Sequence, residues 1–290
     1  MNDISWIVPY RTEALTAFFS FFRIFAGELV ILVSLALGYW ILNRRFFRDL
    51  AVLISISVLL NLLLKVCFQI SRPAVPYLVP IDPSTVFGFP SGDVQVVTVY
   101  WLSLAALFMR PMVSFIAVAI ILGTACSRMY LGVHSPLDVV GGFFAGSLLV
   151  YFFWRYRAQL SWTYKIVAVT YCLLGGLYCL ITPSSMDPMS VPLLGLLGGI
   201  ILGSFLMKCF PCECPNAWGG RLLLAAWVAG SLLLLRSGLR VGVKLWVGES
   251  LQGTYTIYFI LGWYIIFGAL HSFKLLTFPF AKKPQESPCG

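Results

Sequence analysis

Long apolar runs separated by short polar breaks dominate the chain. A run of about 20 apolar residues is the length that crosses a bilayer as a helix. Nine such segments are predicted, at about 24–42, 50–69, 92–109, 112–130, 136–154, 165–182, 191–207, 222–238 and 255–274. The fifth has a clear start signal, with Ser135 at the N-cap and Pro136 in the first turn. Between the sixth and seventh, "TPSSMDPMS" is turn chemistry. Residues 11–23, "RTEALTAFFSFFR", are amphipathic rather than uniformly apolar and predict an interfacial helix leading into the first span. The expected fold is all-α, a polytopic membrane helical bundle of about nine spans.

Composition agrees. Of 290 residues, 60% are hydrophobic and only 11% charged, where a soluble domain carries about a quarter charged residues. The N-terminus, "MNDISWIVPYRTE", is polar and carries acids, so no cleavable signal peptide is expected. Net charge is +9. No basic run with interleaved aromatics accompanies it, so nucleic acid is not an expected partner. The base instead alternates between loops. Arg44, Arg45, Arg48, Arg110, Arg155, Arg157, Lys165, Lys208, Arg221, Lys274, Lys282 and Lys283 collect on one side. That side is assigned to the cytoplasm, and the N-terminus to the outside. Arg236, Arg240 and Lys244 fall on the opposite side and are a counter-signal.

Of the eight cysteines, Cys67, Cys126, Cys172 and Cys179 sit in apolar segments and read as small hydrophobes. Cys209, Cys212 and Cys214 share the short stretch "KCFPCECP". They suit metal binding or lipidation, but no fourth nearby ligand is evident, and no metal or other cofactor is expected.

Three polar clusters fall in loops on the outer side. In "KVCFQISRP", Lys65 and Arg72 are seven residues apart, two helical turns, so both cations are expected on one face. They form a plausible clamp for phosphate oxygens, although a Lys at a span end also simply snorkels to the interface. In "GFPSGDVQ", Ser91 is a good N-cap, and Gly92 allows an anion close to the backbone at a helix N-terminus. An ordinary capped helix start, with Asp93 complementing the dipole, fits the same residues. In "CSRMYLGVHSPLD", Ser127 and Arg128 precede His134, and Asp138 follows four residues later. Asp138 can accept the imidazole N–H and fix its tautomer, form a capping box with Ser135, or do both.

The order Lys-x6-Arg-Pro, Pro-Ser-Gly, Ser-Arg-x5-His-x3-Asp resembles the type 2 phosphatidic acid phosphatase (PAP2) superfamily, which includes membrane lipid phosphatases and polyprenyl-diphosphate phosphatases. The resemblance covers residues 65–138 in its motifs and about 24–154 as a helical core. It implies that His134 attacks phosphorus to give a phosphohistidine, with Asp138 orienting it. It also implies that Lys65, Arg72, Ser91, the Gly92 backbone and Arg128 hold the transferring phosphoryl group, without metal or cofactor. Such a cation-rich cradle is what phosphoryl transfer asks for. The implied partners are a lipid phosphate or diphosphate and the membrane. The implied location is the bacterial inner membrane, with the site facing the periplasm or outside. The expected organisation is a PAP2-like core at 1–160, further membrane helices at 161–276 and a polar tail at 277–290.

The chain departs from the family at one position. The second motif normally reads Pro-Ser-Gly-His, the His protonating the leaving group, and here Asp93 stands instead. Three explanations are open. Asp93 is itself a general acid; or acid help matters little because the leaving group is a phosphate; or the replacement cripples turnover. In the last case the protein is a lipid-phosphate binder or transporter. A lipid phosphotransferase is a further alternative.

Overall fold

The computed structural model describes residues 4–79, 87–157, 190–212, 215, 218–247 and 250–277. After a 3-10 turn at Ser5–Tyr10, helix α1 runs Glu13–Phe22 and α2 runs Glu28–Leu37, extended by a π-helical turn at Gly38–Leu42. Then come α3 (Arg44–Phe68), α4 (Gly92–Phe108), α5 (Pro111–Tyr130), α6 (Pro136–Tyr156), α7 (Ser190–Cys209) and α8 (Trp218–Val247). The last element is α9 (Leu251–Trp263), continued through a π turn at Tyr264–Gly268 into α10 (Ala269–Thr277).

Eight of the nine predicted apolar segments coincide with these helices, and the one at 165–182 lies outside the described residues. This follows from the solvent: in lipid the backbone must satisfy its own hydrogen bonds, so an apolar run becomes a helix. Among the described residues five helices are long and apolar enough to cross a membrane, or six if α1 and α2, bent by 46°, count as one broken span. Gly92–Phe108 and Gly195–Cys209 are apolar but shorter. The chain is an all-α integral membrane protein.

One boundary moves enough to matter. The eighth predicted segment, 222–238, becomes the 30-residue α8, so Arg240 and Lys244 join Arg236 inside a helix rather than lying in a loop after it. Arg236 is also paired: its Nη2 lies 2.9 Å from Glu28 Oε1 on α2. A charge neutralised by a partner from another helix is a weak topology signal, which reduces the weight of Arg236 in the loop pattern.

Close helix contacts use glycine. A Cβ at Gly142 of α6 would come 2.5 Å from the Ser91 carbonyl, and one at Gly146 would come 2.9 Å from the Gln95 carbonyl. This small-xxx-small stripe seats α6 directly on the start of α4. Gly195 and Gly199 of α7 meet the α9 backbone in the same way. Leu50 and Leu53 of α3 share one buried cluster with Leu196 and Ile200 of α7 and Leu261 of α9, so the C-terminal helices pack on the same core as α3.

At one end of the bundle, buried Asp49 near the start of α3 lies 3.1 Å from Arg48 and 3.5 Å from Arg157 just after α6. The polar clusters gather at the opposite end of α3. There α1 lies over the end of α5: Ser127 Oγ donates to the Phe19 carbonyl at 2.6 Å, and the Phe19 and Tyr130 rings are 4.5 Å apart.

Candidate active site

Helix α3 ends at Phe68 because Gln69 turns left-handed (φ 51°), and a proline at 73 biases the residue before it towards extended backbone. Lys65 and Arg72 therefore do not share a helical face, as their spacing suggested. Arg72 instead lies in a returning segment where Ser71 bridges Phe87 and the Gly88 N–H donates to the Ile70 carbonyl at 2.7 Å. Both cations reach one cavity all the same. Lys65, Arg72, Gly92, Asp93, Arg128 and His134 line it together. Ser91 and Asp138, both fully buried, lie behind that surface.

The Pro-Ser-Gly loop is held from beneath by a buried amide network. Asn61 Nδ2 on α3 donates to the Pro90 carbonyl at 3.1 Å and to Gln95 Oε1 at 2.9 Å. Gln95 Nε2 in turn donates to the Ser57 carbonyl at 2.7 Å. A Cβ at Gly92 would sit 3.1 Å from Asn61 Oδ1, a tight approach that would press on this network. No motif in the sequence marks Asn61, Ser57 or Gln95. The available signal was polar residues inside apolar helices, which in a membrane are expensive unless partnered.

Ser91 occupies the N-cap position of α4, but its side chain makes no cap bond. Its backbone N–H donates to the Asp138 carbonyl at 2.9 Å, and its buried Oγ has no partner among the described residues. Asp138 does two things at once. Its Oδ2 accepts from the Ser135 N–H at 2.8 Å, and its own N–H donates to Ser135 Oγ at 3.3 Å, completing a capping box. The same Oδ2 lies 3.5 Å from His134 Nδ1, a contact at ion-pair distance rather than a short hydrogen bond. His134 Nε2 then faces Arg72 Nη1 at 3.5 Å, and that nitrogen also donates to the Val133 carbonyl at 2.8 Å.

Electrostatics keep the imidazole neutral. Burial pushes His134 below its ordinary value of 6.5, with Asp138 opposing and the Arg72 charge adding to the depression. Burial also lowers Arg72 from its ordinary value, opposed by Tyr77, Asp93 and Asp138. A guanidinium nonetheless stays charged at neutral pH. Arg128 is almost fully buried, and Asp93 Oδ2 sits 3.1 Å from its Nη1. Its Nε and Nη2 have no hydrogen-bond partner among the described residues. An enclosed guanidinium with unmatched N–H groups suits a bidentate oxyanion, and in this state the Asp93 carboxylate holds one corner of that place.

The second histidine, His271, is elsewhere. Its Nδ1 lies 2.9 Å from the Phe267 carbonyl and its ring stacks on Phe267, and it does not line the cavity. Cys209 and Cys212 carry free thiols, and no group of three metal-ligating side chains occurs among the described residues. Cys214 lies outside them.

Fold and site define a class: a helical membrane protein with a cation-lined cavity built around one neutral histidine. Residues 46–162 match the family model of the PAP2 superfamily. No curated protein and no solved structure matches the chain. Members of the superfamily are generally phosphatases, and with the membrane helices this suggests a phosphatase-type hydrolase of lipid phosphates.

Proposed function

We propose that the protein hydrolyses a phosphate or diphosphate headgroup from a lipid through a phosphohistidine. The observation that carries this is the joint arrangement of Lys65, Arg72 and Arg128 around neutral His134, with Asp138 behind its Nδ1. Nε2 is the attacking atom, because Nδ1 faces Asp138 and Nε2 faces the cations. As the N–P bond forms, the P–O bond to the leaving group breaks. The cations hold the charge that spreads over the phosphoryl oxygens in between. Water then attacks phosphorus, the N–P bond breaks, the water's proton is lost and inorganic phosphate departs.

Asp93 decides which leaving group is served. A carboxylate ion-paired with Arg128 has no proton to give, so a poor alkoxide leaving group gains nothing from it. A departing phosphate monoester has a second pKa of about 6 and needs less help. The favoured substrate is therefore a lipid diphosphate, whose terminal phosphoryl group displaces the Asp93 carboxylate from Arg128. The site faces the non-cytoplasmic side of the membrane, the reading that the basic loops at the opposite end support.

The experiment is inorganic phosphate release by detergent-purified protein from polyprenyl diphosphate, phosphatidate and phosphatidylglycerol phosphate. The expected order puts the diphosphate first, and His134→Ala, verified as folded by thermal unfolding, releases none. A folded wild-type protein that binds these lipids and releases no phosphate is a binder, the reading the Asp93–Arg128 pair would then favour. An acceptor-dependent product would mark a phosphotransferase.

A further inference from the structure

The cavity continues well past the cradle. Its volume is about 540 Å³, far more than a phosphoryl group fills. Along α3 its lining runs Lys65, Leu62, Val58, Ile54, at spacings of three, four and four, which is one stripe of the helix. Eleven residues at 1.5 Å each carry the cavity about 16 Å from Lys65 into the apolar body of the bundle. Leu32 and Leu35 of α2 form a second wall.

The third wall comes from helices beyond residues 46–162, the part that matches the PAP2 superfamily. Pro192 and Leu196 of α7 and Tyr258 of α9 line the same cavity. Leu196 and Tyr258 are 6% and 4% exposed, so neither is a loose surface side chain. The close backbone contact of α7 with α9 through Gly195 and Gly199 holds this wall in place. Glu28, the one carboxylate on the α2 side of the cavity, is paired with Arg236 at 2.9 Å and lies 3.8 Å from Arg240. That pairing ties the α2 wall to α8 and leaves no unbalanced negative charge to repel an anionic lipid.

We infer that α7 and α9 are the selectivity wall of a hydrocarbon-chain arm. The arm takes the chain of the lipid whose phosphoryl group sits between Lys65, Arg72 and Arg128, and Leu196 sets its bore. The occupant follows from continuity: the apolar arm adjoins the cradle in one cavity, so a ligand anchored there by its anion has its covalently attached tail at the mouth of the arm. A tail leaving the bilayer for the arm trades one apolar environment for another, so the wall discriminates by shape and packing rather than by hydrophobic transfer. This rests on the cradle binding phosphate as proposed above, but not on turnover.

The test is binding, by ligand-induced thermal stabilisation of full-length protein in detergent, of butyl phosphate and dodecyl phosphate. The expected wild-type result is dodecyl phosphate binding at least tenfold more tightly. Leu196→Trp, which blocks the arm, is expected to lower the dodecyl-to-butyl ratio tenfold or more. Leu196→Ala, which removes packing without adding bulk, is expected to lower it severalfold. Phe205→Ala, on the outward-facing side of the same helix and 61% exposed in the wild type, leaves the ratio unchanged. An unchanged ratio in both folded Leu196 variants overturns the inference. Chain-length-dependent binding without phosphate release would sink the hydrolase reading alone. Phosphate release indifferent to chain length and to Leu196 would sink this one alone.

Discussion

Replacing Asp93 by Asn keeps the side chain's size and removes its charge from Arg128. In the wild type the carboxylate lies 3.1 Å from a guanidinium whose side chain is 5% exposed, while its own is 34% exposed. A hydrogen bond to a charged group contributes about 1.5–3 kcal/mol when well enclosed, and partial exposure on the Asp93 side reduces that. A phosphoryl oxygen taking this place must first displace the carboxylate. Asp93→Asn should therefore tighten binding of inorganic phosphate by about 1–2 kcal/mol, roughly tenfold at 1.4 kcal/mol per decade. A general acid behaves differently: losing one costs about 10²–10⁴-fold in rate, felt by a phosphomonoester far more than by a diphosphate. The assay is the inhibition constant of inorganic phosphate together with kcat on both substrate classes for wild type, Asp93→Asn and Asp93→His. The expected pattern is a lower inhibition constant in Asn, diphosphate turnover largely kept, and monoester turnover raised in His. Equal inhibition constants and equal rates for Asn and wild type on both substrates would refute the reasoning and leave Asp93 as a helix-start residue.

Three further outcomes follow. Because His134 is held below 6.5, the unfolded chain binds more protons as pH falls through that value; stability contributed by this group is present above 6.5 and lost on acidification. The acid limb of kcat/KM should accordingly lie below 6.5, and a limb above it would show that burial does not dominate the imidazole; both are read from a pH–rate profile and pH-dependent thermal unfolding. Asn61→Leu strands buried Gln95 Oε1 and frees the Pro90 carbonyl, which should cost about 1–2 kcal/mol by the scale of hydrogen bonds between membrane helices and loosen phosphate binding; an unchanged unfolding midpoint and affinity would remove the network from the account. Single cysteines at 45 and 157 should be shielded from external reagent and open to cytoplasmic reagent; labelling of intact cells at 45 or 157 by an impermeant thiol reagent would invert the orientation.

What the sequence determined by itself is whatever short-range physics controls. Apolar runs became helices because lipid offers the backbone no other partner. Ser135, Pro136 and Asp138 started α6 with a capping box because those bonds close within four residues. The residues of the three clusters were likewise legible, as was the superfamily that residues 46–162 match. Tertiary structure decided what depends on distant partners. The spacing of Lys65 and Arg72 implied a shared helical face, yet Gln69 breaks the helix and Arg72 reaches the cavity from the extended segment whose Ser71 bridges Phe87. Ser91 looked like a cap, but its N–H is engaged by Asp138 from another helix and its hydroxyl is left unpaired among the described residues. Asp93 meeting Arg128 and Glu28 meeting Arg236 are contacts across 35 and 208 positions of chain, and Leu196 lines the same cavity as Val58 from 138 positions away. No local pattern encodes such pairs, because helix packing, and not propensity, fixes which charged or apolar stripe faces which.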